Sequence, residues 1–238
     1  MARKQDHLRN ALETARQFAY EHFPNASLVF LGGSWAVGQA HVDSDLDLVV
    51  IDESVEQVFF EGIAFGGWII EVCAFSPHEV QTFFEGSAKY RSAPVPGQIV
   101  DALLVKGTSS LADSIRALAK RVLTDGPAPL TDAERSEVRY DITLLKNDLQ
   151  YVAPEALPAL SAMAHTKISQ AILDAAGRWR GERKTLRKFV MAVDADLSHR
   201  LDAALLSGCG GDSRLMIEIC NIVLERLGGP LRTYPKFS

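Results

Sequence analysis

The spacing of apolar and polar positions differs between the two halves of the chain. The first half opens with a helical spacing over residues 4–22 and continues with short apolar runs separated by turn residues. The last two runs predict a hairpin that turns at Gly66-Gly67. The predicted strands cover residues 27–31, 46–51, 57–64 and 68–75. A helix is expected to open at Ser76-Pro77 and to run to about Gly86.

The second half is dominated by helical spacing. Residues 92–97, which contain two prolines and a glycine, predict a break, and residues 98–106 stay open between a strand and a helical turn. Helices are predicted at residues 110–126, 131–152, 155–177, 183–206 and 212–227, the second of them opened by a Thr131/Glu134 capping box. The pattern therefore indicates an α+β fold, with a small mixed sheet over residues 1–109 followed by an α-helical bundle domain over residues 110–238.

Composition excludes several classes of protein. The chain has 238 residues, of which 47% are hydrophobic and 23% charged, which suits a folded core and argues against disorder. It contains no apolar run of 18 residues, so no membrane partner is expected. The three cysteines have no paired spacing, and the N-terminal stretch is polar and not a secretory signal. A disulfide scaffold is therefore excluded, a structural zinc site is not expected, and a cytoplasmic location is.

Charge follows the same division of the chain. Residues 1–109 hold 7 Lys and Arg against 14 Asp and Glu, whereas residues 110–238 hold 18 against 16. The total is −5, a balance that argues against nucleic acid as the main partner. The acidic half and the slightly basic half suggest a cleft in which a metal-bound anion could sit.

One segment carries a pattern with chemical meaning. Asp45 and Asp47 alternate with leucines at the start of a predicted strand, so both carboxylates point to one face, about 6–7 Å apart along the backbone. Like charges so close repel each other, and a divalent cation such as Mg²⁺ would relieve the repulsion. The preceding strand ends in Gly33-Ser34, where free backbone amides and a hydroxyl could bind phosphate. Glu71 lies within another apolar strand and could complete a three-acid site for two metal ions.

These residues resemble the signature of the polymerase-beta-type nucleotidyltransferase superfamily. The likeness covers residues 30–72: Gly33-Ser34, a ten-residue gap, Asp45-Leu46-Asp47, and Glu71 as the third carboxylate. The length and the helical second half look most like the aminoglycoside and lincosamide nucleotidyltransferases. Many members carry an arginine where this chain has Val37, a departure that puts one phosphate contact in doubt.

The resemblance implies transfer of a nucleoside monophosphate, with AMP as the first expectation, from ATP or another NTP to a hydroxyl. It implies that Asp45, Asp47 and Glu71 bind Mg²⁺ and that Gly33 and Ser34 bind the outer phosphates. A carboxylate of the helical domain often serves such enzymes as general base. Asp148 is preferred here over Asp141, which lies on the same helix face. Lys184, in a basic stretch, is the chosen further phosphate contact.

The acceptor is expected to be a small hydroxylated molecule. An aminoglycoside-like antibiotic, being polycationic, would suit an acidic cleft, and antibiotic resistance is the role that this acceptor would imply. Two other interpretations stay open: an adenylyltransferase that modifies a protein or RNA, as in the antitoxin-type enzymes, and a regulator that binds nucleotide without catalysis. The sequence leaves the acceptor, the nucleotide preference and the oligomeric state undetermined.

Overall fold

The structure, a computed structural model, describes residues 2–181 and 183–233 and divides into two compact units, Met1–Asp125 and Gly126–Ser238. The division between the units falls after a helix that the sequence assigns to the second domain. The domain boundary at residues 109/110 stays a prediction. The described residues contain no helix that is both long enough and apolar enough to cross a membrane.

The first unit combines helices with a mixed sheet. Its elements in chain order are α1 (Ala2–His22), β1 (Leu28–Leu31), α2 (Gly33–Ala36), β2 (Leu46–Ile51), β3 (Phe59–Phe65), β4 (Trp68–Phe75), α3 (Glu79–Tyr90), α4 (Pro94–Asp101), β5 (Leu103–Lys106) and α5 (Ser109–Asp125). The mixed α+β class expected from the sequence is confirmed.

The strands pair in the order β3-β4-β2-β1-β5 within residues 2–125. Strands β2 and β4 run parallel, while the other neighbours are antiparallel. The predicted hairpin is confirmed: β3 and β4 pair from Phe59↔Ala74 to Phe65↔Trp68 and turn at Gly66-Gly67. Strand β3 therefore forms one edge of the sheet, and β2 and β4 lie in its interior.

The two faces of the sheet are covered differently, because alternate side chains of each strand point to opposite sides. One face carries apolar residues along its whole length, such as Leu48, Val50 and Val72, and packs against Ala15 and Phe18 of α1. On the other face, Phe75 packs against Phe83 and Phe84 of α3.

On that second face, the Arg116 guanidinium of α5 lies 5.2 Å from the centroid of the Phe30 ring. Helices thus cover this face where the strands carry apolar residues.

The second unit is helical. Within residues 126–181 and 183–233 the helices are α6 (Asp132–Tyr151), α7 (Leu157–Ala175), α8 (Leu186–Val193), α9 (Ala195–Cys209) and α10 (Arg214–Leu227), with 3₁₀ turns at Pro154–Ala156 and Arg183–Thr185. Their apolar faces form a core of their own, which includes Ile168, Leu201, Met216, Cys220 and Val223. The predicted capping box is present: the Thr131 hydroxyl accepts from the Glu134 amide, and the Glu134 carboxylate accepts from the Thr131 amide.

Two sequence-based expectations about elements are wrong. The expected break at residues 92–97 is the start of α4, because Pro94 occupies the first turn of a helix, where a proline removes no hydrogen bond. The single helix expected over residues 183–206 is two helices. Asp194 lies between them in extended backbone, and its carboxylate caps α9 by accepting from the Leu197 amide at 2.9 Å.

Candidate functional site

The parallel pairing of β2 and β4 brings two of the predicted acids side by side. Asp47 is the register partner of Glu71, and the leucine and isoleucine before them, Leu46 and Ile70, are also paired. Neighbouring strands lie about 4.8 Å apart, so the two acidic residues share one face of the sheet at that spacing. The flanking residues point to the other face, where Leu46 and Ile70 are fully buried. The alternation therefore buries the apolar side chains and leaves both carboxylates on the open side.

Both acids line a pocket of about 360 Å³ in the first unit. This volume lies within the usual range of sites for small ligands. The pocket is closed on one side by α4. Its lining residues are Asp47, Leu48, Phe60, Glu61, Gly62, Glu71, Val72, Cys73, Pro94, Val95 and Gln98.

The glycines after β1 lie against the same pocket. Gly33 has a φ of +59°, and a Cβ at this position would overlap the Asp47 carboxylate. A Cβ at Gly32 would lie 3.1 Å from the Cβ of Gln98, and the Gly32 amide donates to the Asp47 carbonyl at 2.8 Å. Only glycine at position 33 allows the turn to approach the carboxylate this closely, so the two parts of the sequence motif are in direct contact.

Ser34 follows at the start of α2, which has only four residues. Ser34 is half-buried, and its carbonyl accepts from the Gln39 amide at 2.9 Å. Val37, where the resembled family carries an arginine, is 49% exposed. Phosphate binding by Gly33 and Ser34 stays a prediction.

Asp45 is positioned by a tryptophan. The Trp35 indole N–H donates to the Asp45 carbonyl at 3.0 Å, and the Trp35 ring contacts Trp68 edge-on, with centroids 5.3 Å apart. Asp45 itself is half-buried just before β2, and it does not belong to the lining of the pocket that holds Asp47 and Glu71. The pocket lining thus contains two of the three predicted acids.

The number of side chains that could bind a metal ion is small in this structure's described residues. Among residues 2–181 and 183–233, no group of three or more His, Cys, Asp or Glu side chains is arranged to hold a metal ion. Mg²⁺ is often bound by only one or two carboxylates, with waters and substrate phosphates as its other ligands. The Asp47/Glu71 pair fits that smaller requirement, whereas the arrangement does not form a self-contained three-acid centre. Magnesium binding stays a prediction.

The lining beside the acids is apolar in character, and Cys73 follows Glu71 by two residues on the same face of β4. Burial raises the pKa of the Cys73 thiol to about 12, so the thiol stays protonated at neutral pH and behaves as a small apolar group. Asp47 is reached from α4 by the Gln98 side chain, whose Nε2 lies 3.4 Å from Asp47 Oδ1. The pocket therefore joins two carboxylates, one amide and an apolar wall.

The predicted general base belongs to the second unit. Asp148 is exposed on α6 and lines a groove of about 590 Å³ with Tyr151, Leu160 and Met163 among its other residues. The alternative, Asp141, is held in an ion pair, with Lys167 Nζ 3.0 Å from Asp141 Oδ2. Of the two acids, Asp148 has its carboxylate at a groove, and its role as a base stays a prediction.

The basic stretch in the second unit has several structural duties. Arg180 donates to the Asp174 carboxylate through Nε at 2.9 Å and through a terminal nitrogen at 2.6 Å, and Asp174 is 1% exposed. The hydrogen bonds that Arg180 donates to Asp174 raise the pKa of Arg180, although burial opposes this. Arg187 donates to Asp202 at 2.7 Å. Lys184 is exposed in a 3₁₀ turn, and its contact with phosphate stays a prediction.

Sequence reasoning did not identify Gln98 and Gly62. Gln98 was hidden because residues 98–106 had no clear spacing, and its approach to Asp47 depends on contacts between distant parts of the chain. Gly62 lies opposite Glu71 in β3, and a glycine within an apolar strand was the available signal.

The fold and the site define an α+β protein with an acidic, ligand-sized pocket at one end of its sheet. No protein-family profile matches the chain, and no curated protein matches it. Among solved structures, the chain is similar to the crystal structure of a nucleotidyltransferase-like protein from Exiguobacterium sibiricum 255-15. The two share 14% identity over 91% of this chain and 73% of that chain, with a TM-score of 0.41. The assignment of the fold class rests on the sheet and the helices themselves.

Proposed function

We propose that this protein is a Mg²⁺-dependent nucleotidyltransferase that transfers a nucleoside monophosphate, with AMP as the first candidate, from an NTP to a hydroxyl of a small molecule. The observation that carries the proposal is the register pairing of Asp47 with Glu71 in a pocket, together with the close approach of Gly33 to the Asp47 carboxylate. Two adjacent carboxylates beside a glycine turn suit a phosphate ester that arrives with a divalent cation.

The reaction conserves atoms and charge in a single displacement. The acceptor oxygen forms a bond to the α-phosphorus, and the bond from that phosphorus to the bridging oxygen of the leaving group breaks. Pyrophosphate leaves with the electron pair, and the hydroxyl proton passes to a base, for which Asp148 is the candidate.

Different residues would bind the metal ion and the phosphates. Asp47 and Glu71 would hold Mg²⁺, with Asp45 as the further ligand that the sequence motif implies. When bound, the ion would neutralise phosphate charge and lower the pKa of the attacking hydroxyl. Gly33 and Ser34 would bind the outer phosphates, and Lys184 would contact the same triphosphate.

A second candidate is a regulator that binds nucleotide without catalysis. It is favoured by one observation: the described residues contain no group of three acidic, histidine or cysteine side chains arranged to hold a metal ion. Two-metal phosphoryl-transfer sites need more ligands than one carboxylate pair supplies. A regulator would bind ATP and release no pyrophosphate with any acceptor.

The test is a pyrophosphate-release assay with ATP, Mg²⁺ and a panel of aminoglycosides, lincosamides and simple polyols. We expect release that depends on one class of acceptor and that is lost in Asp47→Asn, a change that keeps the shape of the side chain but weakens it as a metal ligand. Labelled AMP that appears on protein or RNA would instead support a macromolecular acceptor. ATP binding without pyrophosphate from any acceptor would overturn the enzymatic proposal in favour of the regulator.

A further inference from the structure

Gly62 has no conformational reason to be a glycine. It lies within β3, directly opposite Glu71, and its φ is outside the left-handed region that favours glycine. Glycine within a strand weakens the strand, because it adds no packing and loses more backbone entropy on folding. A Cβ at position 62 would meet nothing within 4 Å. The missing side chain therefore leaves open space beside the Glu71 carboxylate.

An aromatic ring stands next to this space. Phe60 precedes Gly62 by two residues on β3, so the two share a face of the sheet. The Phe60 ring contacts Phe83 of α3 at a centroid distance of 6.3 Å, yet 66% of Phe60 is exposed. Phe60 belongs to the lining of the pocket, so its ring offers the pocket an open aromatic surface.

The remaining lining of the pocket is mostly apolar. On the face of the sheet that carries Asp47 and Glu71, the further polar side chain of the lining is Gln98, whereas Phe60, Cys73, Pro94 and Val95 supply apolar groups. A polycation needs several acidic partners, and Asp47 and Glu71 are already assigned to Mg²⁺. The other carboxylate among the lining residues, Glu61, pairs with Val72 and so points to the opposite face of the sheet. The chemistry of the walls thus differs from what an aminoglycoside requires.

We propose that Gly62 keeps open an acceptor slot between Phe60 and Glu71, and that the acceptor is a flat, mainly apolar molecule that carries a hydroxyl. Its ring would stack on Phe60, since aromatic pairs prefer such offset contacts. Its hydroxyl would then point to Glu71. This inference rests on the proposed function for the identity of the second substrate, but the slot can be tested without any reaction.

The decisive variant is Gly62→Val, with Ala64→Val as its matched control. Ala64 is exposed on the same strand and face, two residues further on, and does not line the pocket. Valine favours strands and meets no clash at position 62, so both variants should melt at or above the wild-type temperature. A loss of binding in Gly62→Val can then not be attributed to a loss of stability.

The binding probe is 2-(naphthalen-2-yl)ethanol, a fluorescent aryl alcohol, followed by anisotropy in the absence of ATP and Mg²⁺. We expect Gly62→Val to weaken binding at least 10-fold, Phe60→Leu to weaken it about 3-fold, and Ala64→Val to leave it unchanged. Kanamycin, a polycation, should not displace the probe when it is added together with Mg²⁺, which would occupy Asp47 and Glu71. Wild-type affinity in Gly62→Val would overturn the slot, and displacement by kanamycin would overturn the apolar class of acceptor.

The assay for pyrophosphate separates this inference from the proposed function. If the aryl alcohol binds to the wild type and not to Gly62→Val, while no acceptor releases pyrophosphate, the slot stands and the enzymatic proposal fails. If acceptors release pyrophosphate with the same KM in wild type and Gly62→Val, the enzymatic proposal stands and the slot fails. If both hold, Gly62→Val should raise the KM for the acceptor at least 10-fold and leave the KM for ATP unchanged.

Discussion

Carboxylates are used in opposite ways in the helical unit and in the pocket of the first unit. In the helical unit, Asp174, Asp194 and Asp202 each accept a hydrogen bond from an arginine, at 2.6–2.7 Å. In the pocket, Glu71 is exposed beside Asp47, and its carboxylate forms no hydrogen bond or ion pair with any residue of 2–181 or 183–233. The first group ties each acid to an arginine of another segment of the helical unit, and the second places like charges next to each other.

The pKa values of the paired acids show how their partners stabilise the ionised carboxylates. The Leu197 amide and then Arg226 stabilise the ionised Asp194, so its pKa lies below the usual value. Burial raises the pKa of Asp202, but hydrogen bonds from Arg187 and His165 outweigh it, and the net shift is downward. Paired acids thus stabilise the fold when ionised, whereas adjacent like charges on neighbouring strands destabilise it. An arrangement that costs stability in the free protein is expected where a ligand supplies the opposite charge.

The largest effect is expected from Asp174→Ala in the helical unit. The variant leaves Arg180 without its buried partner and should lose about 3 kcal/mol of unfolding free energy. Urea unfolding followed by circular dichroism measures this loss. Asp141→Ala, which removes an ion pair whose two side chains are 44% and 48% exposed, is the control and should change stability by less than about 0.5 kcal/mol. Equal effects of the two variants would contradict the structural duty of Asp174.

Glu71→Gln should have the opposite effect to Asp174→Ala: it should lower activity and leave stability intact. Removal of one of two adjacent charges should leave the unfolding free energy unchanged or raise it by up to about 0.5 kcal/mol. Pyrophosphate release should fall by about 100-fold or more, since loss of a direct metal ligand exceeds the loss seen for outer partners. Glu56→Gln removes the same charge at an exposed loop position outside the pocket and should change neither quantity. A large loss of stability in Glu71→Gln would place Glu71 with the structural acids.

A smaller effect is expected for Asp194→Ala, which removes the cap of α9. At neutral pH the variant should lose about 1 kcal/mol. The pKa of Asp194 is lower in the folded state, so its contribution is present above the pKa of the unfolded chain and disappears as the pH falls through the folded value. Urea unfolding of wild type and variant at a series of pH values should therefore converge at low pH. A difference that grows as the pH falls would contradict this assignment.

Local patterns were enough to predict much of the fold. Strands β2 and β4 follow from their apolar runs, and the Thr131/Glu134 capping box follows from residue types at a fixed spacing. Helix α4 could not be found in the same way, because Pro94 and Gly97 are turn residues elsewhere and are tolerated here by tertiary packing. The end of α8 at Asp194 was missed because the helical spacing continues across it.

The candidate site was predictable only in part. The sequence indicated that Glu71 could join Asp47 in one site, and the parallel register of β2 and β4 places the two residues side by side. The position of Asp45 outside the pocket lining depends on where the strand begins, which alternation alone does not decide. Gln98 and Gly62 acquire their places from long-range pairing that no local pattern encodes.

Gly33 and Gly62 should show different patterns of depletion in a saturation mutational scan. Such a scan would select for cellular abundance and for enzyme activity independently. Replacement of Gly33 by any other residue pushes a side chain into Asp47, so variants at this position should be depleted under both selections. Variants at Gly62 should survive the abundance selection and be depleted only under the activity selection. A scan of this kind would map the boundary between what the chain needs in order to fold and what it needs in order to work.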